Sequence, residues 1–228
     1  MKIIVLTIFT AIALTACGQN VAHNTVASVA ANFQKDVVPA DLSKYRQATF
    51  AAGCFWHEET LFESIKGVVT AVSGYAGGTK VAPTYEDVET STTGHAETVD
   101  VYYDSSKISY ATLVKIYFEA QEDPTQVNGQ GPDEGPQYRS IAFYRNESER
   151  VVIENYISVL NKSGKYKKPI AAEVKPVAMF WPAEGYHQHY INTHFDESYV
   201  SNVSIRGIAH FQSANPELIK PGHNFAIK

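Results

Sequence analysis

The stretch Gly53-Cys54-Phe55-Trp56-His57-Glu58-Glu59 sets a thiol at the expected start of a helix, between a glycine and two large aromatics. A helix start leaves four backbone N–H groups unpaired and carries the positive end of the helix dipole. Both stabilise a thiolate, so this position is expected to lower the cysteine pKa and makes Cys54 the candidate nucleophile. A lone cysteine is more often a small buried hydrophobe; the neighbouring glycine and the helix start favour the reactive reading here.

The chain has one other cysteine, Cys17. Lys2 precedes the apolar run Ile3 to Ala13 and small residues follow, the order of a secretory signal peptide over residues 1–16. Leu14-Thr15-Ala16-Cys17 resembles the lipobox of bacterial lipoproteins, in which the cysteine is lipidated and becomes the first mature residue. With Gly18 rather than Asp after it, that resemblance implies the outer membrane in a Gram-negative cell, and an exported, membrane-anchored protein. If Cys17 carries lipid, Cys54 has no intrachain partner and no structural disulfide forms within one mature chain. An exported protein with one unpaired cysteine either hides it or uses it.

The 228 residues are 44% hydrophobic and 19% charged, with a formal net charge of -5, the profile of one moderately acidic globular domain. Nucleic acid is not an expected partner, because Lys and Arg total 19 and the densest basic run, Lys165-Tyr166-Lys167-Lys168, is too short to track a phosphate backbone. Residues 17–46 hold the anchor site and an Ala/Asn/Val/Ser-rich tether, whose ~30 flexible residues would span roughly 30 Å.

From residue 47 the pattern is mixed α and β. Thr49–Ala52 reads as a strand and Cys54–Lys66 as a helix with Phe55, Phe62 and Ile65 inward, stopped by Gly67. Val68–Tyr75 and His95–Tyr103 read as strands, the second alternating Val99, Val101 and Tyr103 against Thr98, Asp100 and Tyr102. Ser109 caps a helix with Tyr110, Leu113, Val114, Tyr117 and Phe118 on one face. A long Gly/Pro/Asp-rich loop, Glu122–Gln137, is of the length that carries function. Ser140–Tyr144 (strand), Glu147–Leu160 (helix) and Ala172–Phe180 (strand, ending at Trp181-Pro182) follow.

Six motifs in order then carry a resemblance: Gly53-Cys54-Phe55-Trp56, Tyr75-Ala76-Gly77-Gly78, Pro83-Thr84-Tyr85, Gly94-His95-Ala96-Glu97, the run from Asp123-Pro124-Thr125 to Gly135-Pro136-Gln137-Tyr138-Arg139-Ser140, and Ala183-Glu184-Gly185-Tyr186-His187-Gln188. Over roughly residues 46–195 the chain resembles the A-type peptide methionine sulfoxide reductases. The resemblance implies an α+β fold, a two-layer sandwich of a mixed β-sheet with packed helices around a ferredoxin-like core. It places the catalytic domain at 47–195 and a C-terminal tail at 196–228. It also implies reduction of methionine-S-sulfoxide, free or in oxidised proteins, without cofactor or metal: protein repair under oxidative stress.

On that resemblance Cys54 attacks the sulfoxide sulfur and Glu97 protonates its oxygen. Tyr85 and Tyr138 donate hydrogen bonds to the same oxygen, and Asp133 helps orient the site. Phe55 and Trp56 form the methyl pocket, while Gly53 and His187 support it. For Glu97 to hold a proton near neutrality its pKa must be raised by burial. His57, one turn from Cys54, either tunes the thiol or does nothing.

The tail departs from the family pattern. Many members carry resolving cysteines there; this chain has Ser198, Ser201 and Ser204 and no cysteine. A sulfenic acid on Cys54 therefore needs an external thiol, a thioredoxin-like or glutaredoxin-like protein or a small thiol. The tail either covers the site or is disordered, and a monomer is the default. Two rival readings are a metal-binding lipoprotein built on Glu184, His187, His189 and His194, with 187 and 189 on one face of a strand, and a cysteine hydrolase pairing Cys54 with a histidine.

Overall fold

The computed structural model describes residues 41–225. The signal, lipidation and tether readings on residues 1–40 lie outside the described residues. Strands β1 (Arg46–Ala51), β2 (Val68–Ala76), β3 (Ala96–Tyr103), β6 (Ile141–Tyr144), β7 (Glu173–Pro176) and β8 (Phe180–Pro182) form a mixed sheet in the order β7-β6-β1-β3-β2-β8. Only β6–β7 is parallel. Helices α1 (Phe55–Glu63), α3 (Tyr110–Ala120), α4 (Glu147–Lys162) and α5 (Ile205–Ala214) pack around it, giving the expected α+β architecture.

The central strand β3 is buried along its whole length, and its alternation sorts the molecule. Val99, Val101 and Tyr103 join the main core under the helices, where Phe50, Phe62 and Tyr117 stack. Glu97, at the same parity, faces that side, which is how a carboxylate enters the helix-covered layer. Asp100, at the other parity, accepts from Thr49 (2.7 Å), Gln47 (3.1 Å) and Arg145 (2.8 Å), so this buried charge is paired.

Boundaries moved where capping decided them. The first helix begins at Phe55 with Cys54 as its N-cap and ends at Glu63, because Gly67 (φ +88°) and Ser64 close it early. Ser109 caps α3 as expected, accepting from Thr112 N–H, and Tyr110, Leu113, Val114, Tyr117 and Phe118 all pack on the core.

The strand expected over Ala172–Phe180 is two strands at opposite edges of the sheet. Pro176 ends β7, which runs parallel to β6, and the chain then crosses to pair β8 with β2. The loop 122–137 carries a hairpin, β4 (Gly129–Gln130) with β5 (Asp133–Glu134). A short helix α2 (Tyr85–Glu89), capped by Thr84, had no periodic signal. Residues 199–219 fold onto the core: a π turn at Val200–Ser204 leads into α5, with Ile208, Ala209 and Phe211 buried.

Candidate active site

Three elements converge on the start of α1. Gly53 has φ +79°, and a Cβ there would lie 2.9 Å from Gln130 Cβ, so no side chain is accommodated. Its N–H donates to the Tyr138 carbonyl at 3.1 Å, tying the Cys54 turn to the 136–138 turn. From β3, Glu97 Oε2 accepts the Phe55 N–H at 2.9 Å. From β5, Asp133 accepts the Tyr199 hydroxyl at 2.7 Å and faces the Cys54 N–H. Glu97 thus satisfies one of the N–H groups that a helix start leaves open, and Asp133 stands beside another.

That arrangement corrects the expected electrostatics. Burial, then the charges of Glu97 and Asp133, push the Cys54 thiol well above its ordinary pKa, and the Trp56 and His57 N–H groups only partly offset them. The helix start is met by two acidic side chains, Glu97 and Asp133, and is not left open to stabilise a thiolate. Burial also pushes Glu97 well above the carboxylate range, against the lowering effect of the Phe55 N–H. Burial thus favours the protonated form of Glu97, which is the state an acid needs. His57 supplies no positive charge, because burial lowers it to about 4.

Beside the thiol is an aromatic box. Phe55 is buried, with Trp56 at 6.1 Å, Tyr85 at 6.5 Å and His187 at 5.1 Å between ring centres. Trp56 Nε1–H donates to His187 Nδ1 at 3.1 Å, which puts the proton of a neutral His187 on Nε2. Nε2 is buried without a partner. The Trp56 ring stacks on Tyr190 at 3.8 Å, and Tyr190 on His194 at 3.7 Å. The backbone N–H of Tyr85 donates to Glu184 Oε1 (3.0 Å), whose Oε2 accepts from Tyr75 (2.9 Å). Burial, and after it the neighbouring Glu97 and Glu89, raises both Tyr85 and Tyr138 and keeps the two phenols protonated.

The structure brings Cys54, Phe55, Trp56, Tyr85, Glu97, Asp133, Tyr138 and His187 together, with Gly53 making the turn. Sequence reasoning missed Glu89, which accepts the Tyr138 hydroxyl at 3.1 Å, and Tyr199, whose hydroxyl also lies within hydrogen-bonding reach of Cys54. Neither has a local signal. Glu184 belonged to the last motif of the resemblance and to the metal reading, without an assigned part in the site.

The four residues of the metal reading do not converge. Glu184 is held by Tyr75 and Tyr85, His187 by Trp56, and His194 by Tyr190. His187 ends a 3-10 turn and His189 is left-handed (φ +53°), so no strand aligns them. Among the described residues Glu59, Glu63 and His189 come close enough to share an ion. Hydrogen bonding to Glu63 (3.2 Å) raises His189 to about 9, so its ring is cationic and its Nδ1 proton already donates. In this structure the three side chains form an ion-paired cluster, with His189 Nδ1 3.2 Å from Glu63 and 3.6 Å from Glu59.

A family model described as peptide methionine sulfoxide reductase matches residues 46–217. The chain belongs to the peptide methionine sulfoxide reductase family. It is 41% identical over 171 residues to peptide methionine sulfoxide reductase MsrA 2 of Mesorhizobium japonicum, covering 75% of this chain and 88% of that protein. It is 46% identical over 145 residues to MsrA of Geobacter sulfurreducens, covering 64% and 89%. Among solved structures it resembles methionine sulfoxide reductase A of Corynebacterium diphtheriae (TM-score 0.59, 28% identity, 84% of this chain and 88% of that one). Reduced Mxr1 of Saccharomyces cerevisiae gives a TM-score of 0.60 at 26% identity, over 83% and 96%. The enzyme is an oxidoreductase that reduces methionine sulfoxide at the expense of thiols.

Proposed function

We propose that Cys54 is the nucleophile and Glu97 the acid in reduction of the S epimer of methionine sulfoxide, free or within oxidised proteins. The observation that carries this reading is the carboxyl of Glu97 bound to the N–H of Phe55, the residue after the thiol, inside a buried aromatic box. Oxygen passes from the methionine sulfur to Cys54 Sγ, and the two electrons that reduce methionine leave the thiol. Glu97 supplies the proton to that oxygen, and the thiol loses its own as the S–S contact forms. Tyr85 and Tyr138 steady the oxygen, Asp133 orients the turn, and Phe55 and Trp56 hold the methyl group against ring faces.

Cys54 is the one free cysteine among the described residues, and the tail up to Lys228 has none. The sulfenic acid is therefore returned to the thiol by an external donor. We further propose an exported, monomeric lipoprotein anchored through Cys17 with residues 17–46 as tether, on the strength of the Leu14-Thr15-Ala16-Cys17 sequence. Metabolic labelling with a fatty acid, lost in Cys17→Ser, tests the anchor; unlabelled wild-type protein rejects it.

The activity test is single turnover. Full-length enzyme, reduced and freed of reductant, is mixed with both sulfoxide epimers. About one methionine per enzyme, drawn from the S epimer, with Cys54 becoming reactive to a sulfenic-acid probe, is the expected result. No methionine, with Cys54 still open to alkylation, rejects the assignment.

A further inference from the structure

A cavity of about 880 Å³ lies between α1, the loop before β5, and the tail residues leading into α5. Cys54 lines it, whereas Glu97, Tyr85, Tyr138, Phe55 and Trp56 do not. The thiol thus stands between two spaces, the aromatic box that takes the sulfoxide and a separate chamber.

The chamber has mixed polar and apolar walls, and ionisable side chains stand at its rim without ion-pair partners. Arg206 and His210 of α5, Lys165 of the turn after α4, and Glu122 line it, and none of them forms a salt bridge among the described residues. Glu58 lines it too, 98% buried, and its Oε2 has no partner. Burial raises Glu58 to about 8, so at neutral pH it has an O–H to donate, for example to a peptide carbonyl.

The cover over this chamber is built closely. The Tyr199 hydroxyl holds Asp133 at 2.7 Å, and Gly207 lies so near His57 that a Cβ would come within 2.7 Å of the ring. Cys54 keeps only 7% exposure beneath it. With so little of the thiol exposed, a small molecule reaches it more readily than a cysteine on the surface of a folded protein. The volume falls in the range of small-ligand sites, roughly 300–1,000 Å³.

We propose that this chamber binds the recycling thiol, and that the thiol is a small cysteine-containing peptide with free carboxylates and an ammonium group. Arg206, Lys165 and His210 meet the carboxylates, Glu122 the ammonium, and Glu58 a backbone carbonyl. The thiolate attacks Cys54 Sγ: an S–S bond forms, the S–O bond breaks, and the hydroxyl leaves as water with one proton. A second molecule of the same thiol attacks the ligand sulfur of the mixed disulfide, releasing the ligand disulfide and restoring the Cys54 thiol. Two thiols are oxidised for each sulfoxide reduced.

This inference rests on Cys54 being the residue that becomes a sulfenic acid, and the test separates the two. Full-length enzyme is assayed for single turnover without thiol, then for continuous turnover with glutathione, with uncharged 2-mercaptoethanol, and with thioredoxin and its reductase. The expected result is saturation with glutathione but not with 2-mercaptoethanol. The exposed substitutions Arg206→Glu and Lys165→Glu should each raise KM for glutathione about tenfold, while single turnover and 2-mercaptoethanol turnover stay unchanged. Non-saturating glutathione kinetics, an unchanged KM in both variants, or turnover with thioredoxin alone overturns the chamber assignment. Loss of single turnover in the unsubstituted enzyme instead overturns the role of Cys54.

Discussion

Oε2 of Glu97 accepts the N–H of Phe55 at 2.9 Å across 42 residues of sequence. The same carboxyl is the buried acid of the site and part of the cap of the helix that carries the thiol, so chemistry and fold share one group. Glu97→Gln keeps an acceptor for Phe55 N–H and loses only the transferable proton. Single-turnover methionine formation should fall about 10²–10⁴-fold with the melting temperature nearly unchanged. Glu97→Ala should show the same kinetic loss plus about 1–3 kcal/mol of destabilisation, from an N–H left buried and unpaired. Equal stability of the two variants would contradict the capping role.

The thiol should be less acidic than its place at a helix start suggests. Asp133 sits beside Cys54 and is one of the charges holding its pKa up. Asp133→Asn removes that charge and keeps an acceptor for the Cys54 N–H. Iodoacetamide alkylation of Cys54 at pH 7 should speed up about threefold to tenfold, with the midpoint of the pH–rate curve moved to lower pH. A midpoint moved upward would show that the backbone bond, not the charge, dominates.

Those two carboxylates also mark where the sequence stopped being informative. β1, β2, β3 and α3 were legible because burial imposes period 2 or 3.6 on apolar residues, and Ser109 announced its cap. The membership of the site was legible only through motif order, since Cys54, Tyr85, Glu97 and Tyr138 come from four separate segments. The thiol's direction of shift was misread because a helix start looks electropositive until the side chains capping it are known. The break at Pro176 was missed because parallel pairing with β6 is a non-local choice. Glu89 and Tyr199 were invisible for the same reason: each acts on a residue 49 or 66 positions away.

Glu58 and Glu59 are buried within α1, raised to about 8 and about 7 chiefly by burial. Each binds a proton in the folded state that the unfolded chain has lost. Their stabilising effect is therefore complete below the ordinary carboxylate range and disappears as pH rises toward those values. Urea unfolding should show stability declining between about pH 5 and 8, on the order of 1 kcal/mol per pH unit for each group that stays protonated. Glu58→Gln, which titrates nowhere in that window, should flatten the slope. A slope unchanged in the variant would mean that Glu58 is ionised and solvated in the folded protein.

Tyr138 donates its hydroxyl proton to Glu89 Oε1 at 3.1 Å, so the phenol beside Glu97 is already engaged. A phenol has one proton to give. For Tyr138 to donate to a sulfoxide oxygen, this bond has to break as substrate enters, and the cost of breaking it is subtracted from binding. Glu89→Ala removes the competitor from a partly exposed position at the end of α2, with little effect on the fold. KM for methionine sulfoxide should fall about threefold to tenfold, the equivalent of one hydrogen bond of roughly 0.5–1.5 kcal/mol, and the fall should vanish in Tyr138→Phe. If KM rises instead, the Glu89 contact is what aims Tyr138 at the substrate, and its loss lets the ring swing away.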